Sequence, residues 1–493
     1  MNKDTQTLSK GQVFATYSAY LEDRAIDFLR SLLVELDFHL DRRLVENFFG
    51  LVMVIITHRH RNHGLVLSEL GGYLLPAEHA PAGTKRLSNL LRSVKWGIEI
   101  IVAFFWQQAD RRVKELHQAG ETVLAIWDES VLEKPESLQL EDLCAVRSTK
   151  AVRLKRIKPG FYNPPGGRPI FVPGYNWLQV LVCGMQGHPS LAHLRFWTTR
   201  GERKCEKRAV EGGILEEVAR RWGSQVIHVW DRGFAGSPWL TLAYVHAVRF
   251  VLRWPKHYRL LDEQGRLRKA WEITRGKRSI DHRLIWDARR RCWRKTGLIF
   301  VPVFDTTFEQ PLTLVVARPG HGREPWYLLT NEPVLTPQDG WRIVFAYARR
   351  WLVEMSIRLD KSELAFESPR LRSWERFFKL LWIVVLAHAF LLSLLQLDPL
   401  DIANWLLRHW CHRTGKWRQD VLTPLYRLRA ALSRLWLTFP PPFLLYLSLN
   451  SGWVMLERNL RRDNWSLFTA KGQAEEASVA VGGFREGELG GIG

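Results

Sequence analysis

The chain contains 493 residues, of which 46% are hydrophobic, and it carries a net charge of +21 from 71 Lys and Arg against 50 Asp and Glu. This length predicts more than one domain, with enough apolar residues for a large buried core. A globular chain this basic most often binds nucleic acid and less often an anionic membrane. The five cysteines are scattered without Cys-x2-Cys spacing, which argues against a disulfide framework or a zinc site and favours a reducing compartment.

Residues 1–118 predict helices, because apolar residues recur at helical spacing in residues 14–36 and 43–57. The segment HRHRNH, residues 58–63, contains three histidines, but its two arginines suit a phosphate-contacting basic loop better than a metal site. A basic helix that starts at Thr84 fits either a DNA groove or a solvated surface. The first residues, MNKDTQTLSKGQVF, lack the apolar region of a secretion signal, so we expect a cytoplasmic protein.

Two apolar runs of the strand type end on an acid. Residues 122–128 (TVLAIWD) end at Asp128, and residues 225–231 (QVIHVWD) end at Asp231, which Arg-Gly-Phe follows. A carboxylate at the end of a buried strand lies at the sheet edge, where α/β proteins place their sites. Either acid alone also fits a helix cap or a turn. Glu129 is a second candidate for the first of these acids.

The region between and after these acids alternates strands and helices. Residues 147–168 are rich in Lys and Arg and are broken by Pro and Gly, so they predict a loop that contacts phosphate. Residues 177–185 and 191–197 predict a hairpin of strands, and residues 203–222 predict a helix. A helix and a strand follow, at residues 240–246 and 248–254.

Residues 256–324 are polar and basic, and their short apolar pieces alternate with turn signals. The pieces predict strands at residues 284–286, 298–304 and 312–317. Trp293 lies there among cations, in RRCWRK, and fits stacking on an unpaired base. A core tryptophan is the alternative in a chain with 23 tryptophans.

Residues 345–366 predict one amphipathic helix. At roughly 100° per residue, one stripe of that helix carries Tyr347, Arg350, Glu354 and Lys361. The neighbouring stripe is apolar and suits packing on a core: Val344, Phe345, Trp351, Leu352, Met355 and Leu359. The polar stripe fits a site that holds a metal ion and a phosphate backbone together, and the alternative is a solvated face with an Arg350–Glu354 pair.

The segment at residues 377–395 is long and apolar enough to span a bilayer, but Lys379 and His388 interrupt it. We therefore expect a buried core helix behind the Glu354 helix and no membrane contact. Residues 404–453 predict further helices that suit dimerisation. Residues 469–493 are rich in Gly and Glu without a core pattern and predict a disordered tail.

The order Asp, Asp-Arg-Gly-Phe, Tyr-x2-Arg-x3-Glu-x6-Lys resembles the DDE transposases of the insertion sequence 4 family, over about residues 122 to 395. The resemblance implies an α/β fold with an RNase H-like (retroviral integrase-like) catalytic core and a β-strand insertion, plus helical N- and C-terminal domains. The corresponding regions are a helical DNA-end-binding domain (1–118), the first part of the core (119–254), the insertion (255–325), the second part of the core with the Glu354 helix (326–395), a helical C-terminal domain (396–468) and the tail (469–493).

The resemblance also implies cut-and-paste transposition of an insertion sequence. It assigns two Mg²⁺ ions, for which Mn²⁺ substitutes, to Asp128, Asp231 and Glu354. Contacts to the phosphates of the transposon end are expected from Tyr347, Arg350, Lys361 and Arg232. The implied partners are double-stranded DNA with terminal inverted repeats, target DNA and a second copy of the chain, in the bacterial cytoplasm and at the nucleoid when DNA is bound.

One acid triad without a second nuclease motif must cut two antiparallel strands, and one fixed metal pair cannot attack both in the same pose. The resemblance implies that a 3′-hydroxyl freed on one strand attacks the other and leaves a hairpin on the transposon end. Trp293 is the candidate to stack on a flipped base, and Trp326 and Trp286 are the next candidates. The first rival function is a catalytically inactive or domesticated DNA-binding relative, against which the intact acid set argues. The second is a membrane-associated basic protein.

Overall fold

The structure is a computed structural model that describes residues 9–58, 64–137, 139–150, 169–287, 292–320, 322–396, 401–411 and 424–443. The predictions for residues 59–63, for most of the basic segment 147–168 and for the tail 469–493 lie outside these ranges. The C-terminal helical prediction for residues 404–453 falls only partly within them.

The N-terminal part of the described chain is helical, as the apolar spacing predicts. Its helices are α1 Lys10–His39, α2 Arg42–His58, α3 Leu67–Leu74, α4 Ala80–Arg92 and α5 Ile98–Gln118. The predicted start of α4 at Thr84 is wrong, because the helix begins at Ala80 and the Thr84 hydroxyl donates back to the Ala80 carbonyl at 3.0 Å. His58, the first histidine of the basic segment, stacks on Tyr73 with ring centroids 4.4 Å apart.

The described strands form one mixed sheet of twelve strands. They are β1 Val123–Glu133, β2 Cys144–Arg147, β3 Phe171–Cys183, β4 Ser190–Trp197, β5 Val226–Trp230, β6 Arg249–Arg253, β7 Arg259–Leu261, β8 Leu267–Lys269, β9 Asp281–Asp287, β10 Cys292–Phe304, β11 Pro311–Arg318 and β12 Trp326–Thr330. The order is β2-β3-β1-β5-β6-β12-β11-β10-β7-β8, with β4 on β3 and β9 on β10. The pairs β1–β5 and β5–β6 are parallel, and the other pairs are antiparallel.

The sheet separates two hydrophobic cores, and β1 shows how. Leu124 and Ile126 face a core shared with the N-terminal helices, whereas Ala125 and Trp127 face a second core. Helices on the second side include α6 Lys207–Trp222 and α7 Ser237–Val245, and a short helix, α8 Ala270–Thr274, follows β8. Because side chains alternate along a strand, Asp128 lies on the face of Ile126.

One strand prediction needs correction, and another is confirmed. β1 does not stop at Asp128 but continues to Glu133, because residues 128–133 remain paired with β3 in an antiparallel register. The segment at residues 256–324 does form strands, and these extend the main sheet: β11 pairs with β12, and β12 pairs with β6. The same hydrogen-bonded sheet therefore runs from the acid-bearing strands into the basic segment.

The prediction of one helix over residues 345–366 is wrong. The chain forms α9 Pro337–Ala348, α10 Trp351–Arg358 and a π-helical turn at Leu359–Glu363. At the junction the Arg350 amide donates to the Tyr347 carbonyl at 3.0 Å, an i to i−3 bond that tightens the last turn of α9. Because this break shifts the helical phase, Trp351 is 62% exposed instead of lying in the apolar stripe.

Helix α11, Trp374–Ser393, contains the long apolar segment. By length and composition it could cross a membrane, but it lies buried within the protein. Lys379 and His388 are buried with it, and Lys379 Nζ donates to the Ser93 carbonyl at 2.7 Å. The helix lies behind α10, as the sequence predicts, because His388 contacts Ser356 of α10 and Asp360 of the π-helical turn. Two further helices follow: α12 Ile402–Trp410 and α13 Leu425–Thr438.

Candidate active site

Asp128 and Asp231 lie level on neighbouring strands. The parallel strands β1 and β5 pair Ile126 with Val229, so the positions two residues later are Asp128 and Asp231, on the same face. Asp231 directly follows β5 and precedes a short 3₁₀ turn, Arg232–Phe234. The parallel register therefore brings two carboxylates that are 103 residues apart in sequence (231 − 128) side by side.

Arg350 joins these two acids to Glu354. Its guanidinium lies 3.5 Å from Asp128 Oδ2 and 3.9 Å from Asp231 Oδ2, and it donates to Glu354 Oε1. The Tyr347 hydroxyl donates to Asp231 Oδ1 at 2.9 Å. These five predicted residues form one group, which we call the acid–arginine cluster.

Two further residues support the cluster, although the sequence did not place either of them beside Tyr347. Trp326 packs edge-on against the Tyr347 ring, with centroids 5.2 Å apart. The Arg253 guanidinium lies 5.9 Å from the centroid of the same ring, and the Arg350 guanidinium lies 5.8 Å from it. Tyr347 is thus fixed by β12 and β6, and its hydroxyl in turn fixes Asp231.

The pKa values of the two aspartates are shifted in opposite directions from their ordinary values. Burial raises the pKa of Asp128 to about 7; Arg350 opposes this rise, and the charges of Asp231 and Glu354 add to it. Burial acts on Asp231 as well, but Arg350, the Arg232 amide and the Tyr347 hydroxyl outweigh it and hold the pKa of Asp231 below its ordinary value. One arginine therefore does not balance the charge of three carboxylates.

The arginine and the tyrosine of the cluster keep their protons. Burial acts to lower the pKa of Arg350, but its acidic neighbours and Tyr347 raise it further than burial lowers it. Burial raises the pKa of Tyr347 to about 12, and the charge of Asp231 adds to that rise. Tyr347 is therefore a hydrogen-bond donor to Asp231 at any physiological pH.

Lys361 lies apart from the Arg350–Glu354 pair. Its Nζ is 3.5 Å from Ser130 Oγ, 3.2 Å from Thr149 Oγ1 and 3.6 Å from Glu367 Oε1. Burial lowers the pKa of Lys361, although Glu367 acts in the opposite direction. Ser130 is two residues beyond Asp128 and on its face of β1, so Lys361 extends the polar surface along the strand. The predicted four-residue stripe is therefore divided between two positions.

The structure places the other candidate residues around this surface. Arg232 is exposed in the turn that follows Asp231. Glu129 points to the opposite face of β1 and forms an ion pair with Lys207, so the face of the cluster belongs to Asp128. Trp293 is 51% exposed and lies on the hairpin of β9 and β10, across from Trp286. The contacts that build the cluster come from β1, β5, α9 and α10.

A second polar group lies directly behind α10, and sequence reasoning missed it. Gln179 Nε2 donates to Asp360 Oδ2 at 3.2 Å, and the other carboxylate oxygen lies 2.7 Å from His388 Nδ1. Ser356 Oγ lies 3.4 Å from His388 Nε2. All four side chains are buried, and we call them the closed network. Gln179 pairs with Asp128 across β3 and β1, so the closed network meets the sheet beside the first acid.

The donor set of the acid–arginine cluster suits Mg²⁺, because carboxylate oxygens are the hard ligands that this ion prefers. Burial is the main cause of the raised pKa of Asp128, and the negative charges of Asp231 and Glu354, which a divalent cation would neutralise, add to it. Within the described residues, however, no three His, Cys, Asp or Glu side chains are arranged to hold one ion in common. The Arg350 guanidinium lies among the acids instead. The residues fit the metal, and their present arrangement holds an arginine.

Comparisons with known proteins add little to this geometry. No family model matches the chain. No curated protein matches it either. Among solved structures, the chain is similar to the piggyBac transposase in a cryo-EM structure of its synaptic complex with hairpin DNA, with a TM-score of 0.39 and 13% identity over 97% of this chain and 90% of that chain. At this score the likeness carries neither the fold nor the function, which rest on the sequence and on the site described above.

Proposed function

We propose that the chain is a DDE transposase that cuts and joins DNA at the terminal inverted repeats of an insertion sequence. The acid–arginine cluster carries the proposal, since Asp128 and Asp231 on parallel strands and Glu354 on a later helix meet around one arginine. An RNase H-like core is part of the proposal. It is supported by the order β3-β1-β5-β6, with β4 on β3, in which two antiparallel pairs, β4–β3 and β3–β1, are followed by two parallel pairs, β1–β5 and β5–β6.

The residues of the cluster have separable roles in this proposal. Two Mg²⁺ ions held by Asp128, Asp231 and Glu354 would activate a water or a 3′-hydroxyl and stabilise the leaving oxygen. Tyr347 holds Asp231 in a fixed orientation through its hydroxyl. Arg350, Lys361 and Arg232 supply cations for the phosphates of the transposon end. The exposure of Arg232 and the position of Lys361 along β1 extend this basic surface on both sides of the acids.

One such site must cut both strands of a duplex. The two strands are antiparallel, so a 3′-hydroxyl freed on the first strand serves as the nucleophile for the second. The P–O bond of the second strand breaks as the new one forms, and the product is a hairpin on the transposon end. Trp293, half exposed on the β9–β10 hairpin, stacks on the base that leaves the bent strand.

The partners follow from the same proposal. A net charge of +21 favours duplex DNA, including the target, as the main ligand. A second copy of the chain pairs the two transposon ends in a homodimer. The protein acts in the bacterial cytoplasm, at the nucleoid when bound to DNA.

The test is a cleavage assay. The DNA that flanks the coding sequence is searched for inverted repeats, and a labelled duplex that carries such a repeat is incubated with purified full-length protein. We expect nicking and then a hairpin on a denaturing gel with Mg²⁺ or Mn²⁺, and no product with EDTA. Binding of the end without cleavage would instead identify a DNA-binding relative without catalysis. Double-strand breaks without a hairpin would refute only the proposed second step.

A further inference from the structure

We propose that Arg350 is a resident counter-cation that holds the three acids together before metal binds, and that a divalent cation displaces its guanidinium toward a DNA phosphate. The inference rests on the proposed function, whose metal ligands it shares. In this proposal the metal ion and the guanidinium compete for the same carboxylates. Arg350 therefore weakens metal binding, whereas a residue that only supported the metal site would strengthen it.

The guanidinium is within 4 Å of all three acids, yet only its contact to Glu354 is close. Its distances of 3.5 Å to Asp128 and 3.9 Å to Asp231 exceed the roughly 2.7–2.9 Å of a charge-assisted hydrogen bond. Within the described residues its buried Nε has no hydrogen-bond acceptor. The side chain is only 13% exposed, so these weak contacts are not exchanged for water.

Arg249 shows what a fully satisfied arginine looks like in the same protein. Its guanidinium donates to Glu332 at 2.8 Å and 2.6 Å and to the Ser224 carbonyl at 2.8 Å. This fork-to-carboxylate geometry is the strong, specific form of the interaction. Arg350 lacks this geometry because three acids share one guanidinium. A metal ion that coordinates all three acids therefore displaces Arg350 with a smaller loss of hydrogen-bond energy than displacing Arg249 from Glu332 would cause.

The chain also gives Arg350 freedom to leave. It lies at the break between α9 and α10, whereas Arg349 beside it is anchored by donating to the Gly187 carbonyl. The Arg350 backbone is itself held by its amide bond to the Tyr347 carbonyl, so the proposed displacement needs rotation of the Arg350 side chain alone. Once displaced, the guanidinium remains near the cluster and is available to a phosphate, so metal binding and DNA binding favour each other.

The test measures metal affinity in the absence of DNA. Mn²⁺ binding to the purified full-length chain is titrated by electron paramagnetic resonance of the free ion and by calorimetry. Arg350→Met keeps most of the side-chain volume but removes the charge, and we expect it to bind Mn²⁺ about 10-fold more tightly than the original chain, within the range of typical coupling effects. Arg342→Met, which removes an exposed cation elsewhere on α9, is the matched control and should leave the affinity unchanged.

A second readout follows from linkage. In EDTA the Arg350→Met variant should melt at a lower temperature than the original chain, and saturating Mn²⁺ should raise its melting temperature by more. If Arg350→Met does not fold, Arg350→Gln replaces it in both measurements. Equal or weaker Mn²⁺ binding by the variant overturns the inference while the proposed function stands. Failure of the original chain and both Arg350 variants to bind Mn²⁺ removes the metal site itself, and with it the proposed function.

Discussion

The acid–arginine cluster and the closed network lie on two sides of the same short helical segment, yet they are built in opposite ways. Glu354 on α10 faces a half-buried group with more acids than cations. Ser356 and Asp360, within six residues of Glu354, face a fully buried group whose members bond to one another. Unbalanced charge is costly to keep and suits a ligand site. A buried set of mutually bonded side chains suits a fixed support, although Gln179 Oε1 has no hydrogen-bond partner within the described residues.

The two groups are linked through one pair of strands. Asp128 on β1 is paired in register with Gln179 on β3. Asp128 belongs to the acid–arginine cluster, and its partner Gln179 belongs to the closed network through its hydrogen bond to Asp360. The π-helical turn at Leu359–Glu363 brings Asp360 into the network on one side and Lys361 toward Ser130 on the other. The network therefore fixes the distance between α10 and the sheet.

The largest effect is expected from removing one acid of the acid–arginine cluster. Asp128→Ala, Asp231→Ala and Glu354→Ala should each reduce cleavage of a labelled transposon end by at least about 10³-fold, because metal ligands act as a unit. Binding of that end, measured by gel shift, should survive. Glu129→Ala is the matched control on the opposite face of β1 and should cleave normally. Loss of cleavage in Glu129→Ala with normal cleavage in Asp128→Ala would exchange the two roles.

Breaking the closed network should destabilise the fold. His388→Ala leaves the Asp360 carboxylate buried without one of its partners, at an expected loss of roughly 2–4 kcal/mol in the free energy of unfolding. Urea unfolding followed by circular dichroism measures this loss. Glu354→Gln, on the exposed side of the same helix, should change stability by less than about 1 kcal/mol. Equal losses in the two variants would contradict the distinction between the groups.

The two aspartates should respond to pH with opposite signs. The pKa of Asp128 rises to about 7 in the folded state, so the folded state holds that proton more tightly and loses stability as pH rises from about 4 to 7. In EDTA, Asp128→Asn should therefore stabilise the protein at pH 8 by about 1–3 kcal/mol relative to its effect at pH 4.

Asp231 provides the matched comparison. Its pKa is lowered, so its contribution to stability is present above the unfolded value of about 4 and is lost as pH falls. Asp231→Asn should destabilise the protein at pH 8 and do so less at pH 3. Melting temperatures across this pH range measure both variants, and parallel pH profiles would show that the two sites do not differ.

The smallest effect concerns exposed tryptophans. Trp293→Ala should reduce hairpin formation more than first-strand nicking, by a factor that corresponds to roughly 1–3 kcal/mol of base stacking. Trp351, 62% exposed next to Arg350, is the comparison variant. If Trp351→Ala lowers hairpin yield and Trp293→Ala does not, the stacking residue is the one beside the cluster.

Much of this fold could be predicted from local pattern. The hairpin of β3 and β4, the helix ending at Trp222 and the buried α11 all carry periodicities that the structure reproduces. The break at Arg350 could not be predicted, because the prediction assumed a constant helical rotation of about 100° per residue, and a turn tightened by an i to i−3 bond departs from that rotation. The same assumption placed Lys361 with Glu354 and Trp351 in the core.

The spacing of the acids and the strand pattern predicted which residues meet, while their catalytic and metal-binding roles remain predictions. The closed network was missed because Gln179, Asp360 and His388 are ordinary residues in sequence and become partners only through the sheet register and the π turn. Trp326 and Arg253 were missed for the same reason, since β12 and β6 bring them to Tyr347. Contacts between distant strands carry no local signal.

The pairing of β6 with β12 has a consequence for how the chain folds. Leu252 pairs with Leu329, so β6, the neighbour of the acid-bearing strand β5, pairs with a strand made only after the whole 255–325 segment has been synthesised. Contacts this distant in sequence slow folding, because loop closure must precede the contacts that reward it. Trp326 on β12 then packs on Tyr347, which bonds Asp231. Refolding followed at Tyr347 should therefore be slower than formation of the β3–β4 hairpin, and the acids should reach their final positions late.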